Sequence, residues 1–251
     1  MRLLLLSDIH SNLEALEACL AAAPECDVVV NLGDIVGYGA SPNEVTELAR
    51  GLGKHFVRGN HDKAVTGLID LHDFNPVAGV AALWTRDQLT PGNSAWLRAL
   101  PQGPITLADL PDIQFVHGSP LDEDEYVVNN EEALAPLRQS AVALTFFGHT
   151  HLQGGFHDKG ARDDAFHPEY KTIGQSESWE LRLRKGARYL INPGSVGQPR
   201  DGDWRAAFAT FDSESRTVSF RREPYDLKTA QDKINAANLP SRLATRLAAG
   251  R

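Results

Sequence analysis

The chain has 251 residues, 42% of them hydrophobic and 23% charged, with a formal net charge of -8. That length supports one sizeable core, so a single domain over 1–251 is expected. The acidic balance argues against a strong nucleic-acid-binding patch, while a small phosphorylated substrate stays possible wherever metal ions supply local positive charge.

The first apolar run, Leu3 to Leu6, breaks at Ser7-Asp8. It is too short for a secretory signal and is read as the first strand. No run reaches membrane-spanning length, and the two cysteines, Cys19 and Cys26, form no disulfide framework, so a cytoplasmic protein is expected. Ser11-Asn12-Leu13-Glu14 matches a capping box and predicts a helix to about Ala23, closed by Pro24. Val28 to Leu32 returns as a strand, and Ser41-Pro42-Asn43-Glu44 predicts a second helix that stops at Gly51. His55 to Val57 is a third short strand. Strand alternating with helix implies a parallel sheet with crossover helices.

Asn75-Pro76 caps a long helix to about Leu89, and Pro91-Gly92 separates a shorter one around Trp96 and Leu97. From Gln114 the pattern is strand-like. Beyond Arg188 it reads as strands at Tyr189 to Asn192, Ala206 to Phe211 and Thr217 to Arg221, which predicts a second sheet packed on the first. The polar segment 154–178 is expected as a lid beside the site or as a plain surface hairpin. Asp226 to Asn238 and Ser241 to Ala249 read as two terminal helices. The expected fold is α/β, two packed mixed β-sheets flanked by helices.

Five apolar runs end in polar residues of one kind. Asp8 and His10 follow the first run, Asp34 the second, and Asn60, His61 and Asp62 the third, while His117 follows Ile113 to Val116 and His149 and His151 follow Leu144 to Phe147. In open α/β sheets the ligand site lies beyond the carboxyl ends of the strands, so these residues should converge. Asp8 and His10, like His149 and His151, are two apart, and on extended backbone each pair would point to one side and offer two donors to one centre. Seven oxygen and imidazole donors without a thiolate exceed one tetrahedral site and suit two divalent cations, with Mn favoured and Fe or Zn possible. Asp34 is the best bridging carboxylate.

Asp8-Ile9-His10, Gly33-Asp34-Ile35-Val36-Gly37, Gly59-Asn60-His61-Asp62, Val116-His117-Gly118 and Gly148-His149-Thr150-His151 resemble, in order, the five blocks of the calcineurin-like metallophosphoesterase superfamily. Asn192-Pro193-Gly194-Ser195 is similar to a later segment of its smaller bacterial members. The resemblance implies that Asp8, His10, Asp34 and His151 hold one metal and Asp34, Asn60, His117 and His149 the other. It implies in-line attack on phosphorus by a hydroxide shared between the metals, with His61 protonating the departing alkoxide. It also implies two sheets packed face to face with helices outside.

Where the phosphoprotein phosphatases of that superfamily carry an Asp and an Arg after the Gly-Asp block, this chain has Gly37 and Tyr38. A carboxylate partner for His61 would then come from Asp62 or from Asp122 to Glu125, and a phosphate clamp from Arg58 or Arg200. The expected activity is hydrolysis of small phosphodiesters such as cyclic or related nucleotides. The alternatives are a phosphomonoesterase or serine/threonine protein phosphatase and, third, a scaffold that binds metal without turnover. His55, His72, His157 and His167 read as packing or surface residues, and the Arg182 to Arg188 run as the solvated face of an edge strand. Ser195 lacks the nucleophile-elbow pattern.

Overall fold

A computed structural model describes residues 1–72, 74–158 and 163–251. Its first half runs β1 (Arg2–Leu6), α1 (Leu13–Ala22), β2 (Val28–Asn31), α2 (Pro42–Gly51), β3 (His55–Phe56), α3 (Asn60–Val65), α4 (Pro76–Gln88) and α5 (Pro91–Arg98). There follow β4 (Ile105–Leu107), β5 (Leu110–Phe115), α6 (Asn130–Gln139), β6 (Leu144–Phe146), β7 (Gly154–Asp158), β8 (Asp163–Phe166) and β9 (Glu177–Arg182). β10 (Arg188–Asn192), β11 (Ala206–Asp212), β12 (Thr217–Glu223), α7 (Leu227–Ala236) and α8 (Ser241–Ala249) complete the chain.

The strands form two six-stranded sheets, ordered β3-β2-β1-β11-β12-β9 and β4-β5-β6-β10-β7-β8. Both are mixed: β1 pairs parallel with β2 and antiparallel with β11, while β10 pairs parallel with β6 and antiparallel with β7. Strand alternation explains the layering. Leu3 and Leu5 point between the sheets, where they meet Phe115, Phe146, Phe211 and Phe220. Leu4 and Leu6 point the other way, into a second core with Leu16, Cys19, Val45, Ile234 and Leu243 from the helices. On the far side Ala133 and Leu137 of α6 cover Phe156 and Leu190. The result is a four-layer αββα arrangement, as the sequence predicts.

Several local expectations change. Asn12, not Ser11, caps α1, its Oδ1 accepting from the Ala15 amide at 3.2 Å. Ser11 is instead in the left-handed region at φ 54, and its hydroxyl accepts from the Gly37 amide. α6 lies where a strand-like pattern was expected; Asn129 caps it and Pro136 inside it masks the helical period. Segment 154–178 forms the β7–β8 hairpin on the second sheet and leads into β9, with 159–162 outside the described residues. β9 is an edge strand, but of the basic run only Arg182 lies in it; 183–187 connect it to the central strand β10, where Arg188 donates to the carbonyls of Leu137, Ser140 and Val142 instead of facing solvent along an edge. Among the described residues no helix is long and apolar enough to cross a membrane.

Candidate metal centre

The cluster is built where β1, β2, β5 and β6 end. Asp8, His10, Asp34, His149 and His151 all have positive φ, between 49° and 67°. This corrects the expectation of extended i, i+2 pairs: each strand stops short of its donors, and a left-handed backbone turns them inward. Such conformations cost an L residue on the order of 1–2 kcal/mol each, so the surrounding hydrogen bonds must hold them. Asn192 donates through Nδ2 to the Gly148 carbonyl at 2.8 Å and the Thr150 hydroxyl at 3.0 Å. Ser195 donates to the Asp8 carbonyl at 2.7 Å. The Asn192 to Ser195 segment therefore clamps the loops of Asp8 and His149, and the fully buried Ser195 hydroxyl is engaged by the Asp8 carbonyl and the Gln198 amide.

Two groups of donors emerge. Ligand atoms of Asp8, His10, Asp34 and His151 lie within 4.8 Å of one another, as do those of Asp34, His117 and His149. His149 and His151 thus face different centres. Asn60 stands beside the second group, its Oδ1 3.3 Å from His117 Nε2. Asp34 belongs to both groups: Oδ2 lies 3.6 Å from His10 Nε2 and 3.5 Å from His117 Nε2. Its other oxygen accepts from the His61 amide at 2.8 Å. Asp8 is oriented similarly. Its Oδ2 accepts from the Ser7 hydroxyl and the His149 amide, which leaves Oδ1 toward the cluster without a hydrogen bond.

The histidine tautomers test whether cations fit. Nδ1 of His10, His117 and His151 faces the main-chain carbonyls of Val36, Leu32 and Gln198 at 3.2, 2.7 and 2.6 Å. A carbonyl only accepts, so each Nδ1 carries a proton, and the neutral rings of His10 and His151 present Nε2 lone pairs inward. Nε2 of His10 and His151 are 3.1 Å apart, and His149 Nε2 has no partner at all. Lone pairs facing one another in a buried site need a cation between them. The donor set fits divalent metal.

Charges agree with that geometry. Burial holds His10 well below the usual imidazole value, and burial with the nearby His117 charge pushes His149 down to about 3. Both are ready to ligate at neutral pH. Burial opposes protonation of His117 too, yet Asp34 and Asp8 outweigh it and raise His117 to about 10. Burial likewise works against ionisation of Asp34, but the imidazoles of His117 and His61 hold it well below the carboxylate range. Without metal, a proton on His117 partly balances the two buried carboxylates.

His61 lies in the first turn of α3 beside the cluster, its ring 4.4 Å from that of Tyr38 and 5.0 Å from that of Phe74. Burial, with Arg200 and neighbouring imidazoles, pushes it down to about 4 against the pull of Asp34. Neither expected carboxylate partner reaches its ring nitrogens. Asp62 accepts from the amides of Ile35, Val36 and Gly59, tying the Asp34 loop to the Asn60 turn. Glu123 and Asp124 are engaged by Lys63, and Glu123 by Arg58 as well. That fork removes Arg58 as a phosphate clamp. Arg200 is better placed to clamp phosphate, since it reaches the Tyr38 hydroxyl at 3.4 Å and its buried Nε has no partner.

A cleft of about 410 Å³ opens onto His61, Asn60 and His149, walled by Tyr38, Phe74 and Tyr126. Tyr126 stacks on His149 with ring centres 3.9 Å apart. None of the described residues of 154–178 lines it. Phe74 and Tyr126 were not legible as cleft walls from the sequence, because they come from two loops far apart in the chain.

Two packed sheets with a histidine and carboxylate cluster beyond their strand ends define an αββα protein built around a candidate metal centre. The calcineurin-like phosphoesterase superfamily domain matches residues 1–216, and the chain belongs to that superfamily. A metallophosphoesterase from Sphaerobacter thermophilus is similar over 100% of this chain and 99% of its own, at 40% identity and a TM-score of 0.85. An uncharacterised protein of Methanocaldococcus jannaschii is 36% identical, covering 98% of this chain and 97% of the relative. A hypothetical protein from Pyrococcus horikoshii OT3 shares the fold at 22% identity, with a TM-score of 0.76 over 100% of this chain and 98% of that one. Membership places the chain among metal-dependent phosphoester hydrolases.

Proposed function

We propose that this chain is a dinuclear phosphoesterase of small phosphodiesters, with cyclic or related nucleotides as the substrate class. One centre is assigned to Asp8, His10, Asp34 and His151, the other to Asp34, Asn60, His117 and His149. The observation that carries this reading is the single oxygen of Asp34 that faces both donor groups. A donor set of oxygen and imidazole nitrogen favours Mn, with Fe and Zn as alternatives. When bound, such cations lower the pKa of water and neutralise charge on a phosphoryl group.

The protein side of the reaction follows from the cleft. Arg200, free of any carboxylate partner among the described residues, orients a phosphoryl oxygen by charge-assisted hydrogen bonding. Tyr126 and Phe74 receive the leaving group against aromatic surface. His61 protonates the departing oxygen. Burial sets its low proton affinity, and a phosphate arriving beside the ring would add negative charge and raise it. The modest cleft and the replacement of an arginine by Tyr38 favour small esters over phosphoproteins.

The test is hydrolysis of bis(p-nitrophenyl) phosphate and p-nitrophenyl phosphate with Mn, after chelation, and with His61→Ala. Turnover that needs metal, prefers the diester and collapses in the variant supports the reading. Preference for the monoester transfers it to a phosphatase, and absent turnover with two metals bound transfers it to a scaffold.

A further inference from the structure

The Tyr38 ring carries two arginines. The guanidinium carbon of Arg200 lies 5.8 Å from the ring centre and that of Arg246 lies 5.9 Å from it. Tyr38 in turn packs on His10 and His61, at 4.7 and 4.4 Å between centroids. Both cations therefore stand one aromatic ring away from the candidate metal centre. Arg246 comes from α8, beyond the residues that match the superfamily domain.

Among the described residues no Asp or Glu carboxylate is paired with Arg200 or Arg246. Arg200 contacts the Tyr38 hydroxyl and Gln198 Oε1, and its buried Nε has no partner. Arg246 uses Nε on the Arg251 main-chain oxygen at 2.7 Å. The other basic groups near the site are paired, Arg58 with Glu123 and Lys63 with Glu123 and Asp124. In a chain of net charge -8, Arg200 and Arg246 thus stand half-buried without an Asp or Glu partner among the described residues, Arg246 keeping one bond to the oxygen of residue 251. Burial and the charge of Arg200 also weaken the hold of Arg246 on its proton, as expected of like charges crowded together.

The remaining walls set where a substrate's charge can go. Asp70 and Asp124 line the cleft together with Phe74 and Tyr126, with Asp124 held by Lys63. The arginines lie over Tyr38, which lines the cleft, and neither guanidinium is itself among the residues lining it. We propose that Arg246 and Arg200 form a second anion subsite against Tyr38, which selects phosphate esters carrying a second phosphoryl group. Two forked guanidiniums match a dianion with three oxygens better than a single carboxylate. The subsite rests on the phosphoesterase reading for its role, though not for its ability to bind.

The experiment is calorimetric titration of the full chain, Mn-loaded and chelated, with thymidine 5′-monophosphate and thymidine 3′,5′-bisphosphate. The wild type should bind the bisphosphate roughly ten-fold or more tightly than the monophosphate. Arg246→Gln should bring the two affinities together, Arg246→Lys should narrow the gap, and Arg242→Gln, an exposed neighbour on α8, should preserve it. Far-UV circular dichroism checks that the variants fold; Arg246→Lys serves if the glutamine variant does not. Equal affinities in the wild type, or a gap that survives both Arg246 variants, overturns the subsite. Release of p-nitrophenol from thymidine 5′-(p-nitrophenyl phosphate) reports separately on catalysis. Release without the affinity gap removes the subsite alone; a gap that closes in the variants without any release supports the subsite and removes the phosphoesterase reading.

Discussion

A Cβ on Gly37 would lie 2.5 Å from Nδ1 of His61. Gly37 also has φ +100°, where a side chain is strained. The position that carries an aspartate in the phosphoprotein phosphatases is here bare backbone pressed against the histidine, and Nδ1 has no hydrogen-bond partner. Gly37→Ala should displace the ring and lower kcat/KM by about 100-fold or more, the usual contribution of a general acid. Metal content by mass spectrometry should stay unchanged, because residue 37 supplies no donor.

Metal loading should release protons. His117 is raised to about 10 in the metal-free protein, so it is protonated at pH 7. Its Nδ1 proton is committed to the Leu32 carbonyl, and the proton on Nε2 must leave before that nitrogen can ligate. Affinity at the second centre should therefore rise with pH between about 6 and 10, and fall as acid keeps His117 charged. Calorimetry at pH 7 in buffers of differing ionisation enthalpy should find about one proton released per chain; none released would mean that His117 starts neutral.

Asp62 should matter more for architecture than for chemistry. Its carboxylate accepts from three buried amides, those of Ile35, Val36 and Gly59, at 3.0, 3.3 and 3.0 Å. Asp62→Ala orphans these donors at about 1–3 kcal/mol each, partly offset if water enters. Urea denaturation of the metal-free protein should show a loss of roughly 2–5 kcal/mol. Asp62→Asn, which keeps one acceptor oxygen, should lose less.

The two cysteines should differ in reactivity. Cys19 is wholly buried in the helix-facing core, and burial pushes its thiol far up, so no thiolate forms at pH 8. Cys26 is only partly buried. An aromatic disulfide reagent should modify one thiol per folded chain and the second only after denaturation. Rapid reaction of both would show that α1 opens readily.

The fold was legible because its period-two and helical patterns are local. Leu3 to Leu6 alternates between two cores, and that alone requires layers on both faces of the strand. α6 was missed because Pro136 interrupts its apolar period, although the Asn129 cap and Glu131 and Glu132 in its first turn were signals to hand. The capping box at Ser11 failed for another reason. Ser11 is drawn into the left-handed turn that shapes the site, and the cap passes to Asn12.

The seven donors and His61 were picked out by residue type and by position after apolar runs, information that survives in one dimension. What the donors do to one another was not. The left-handed turns, the Asp34 oxygen shared between two groups and the facing nitrogens of His10 and His151 exist only once β1, β2, β5 and β6 end together. Arg200 and Arg246 on one tyrosine ring, and Arg58 withdrawn into a fork with Glu123, were likewise decided by packing. Pattern in sequence reports the periodicity of each element, whereas partnership between charged groups depends on through-space distance, and only the folded chain sets that distance.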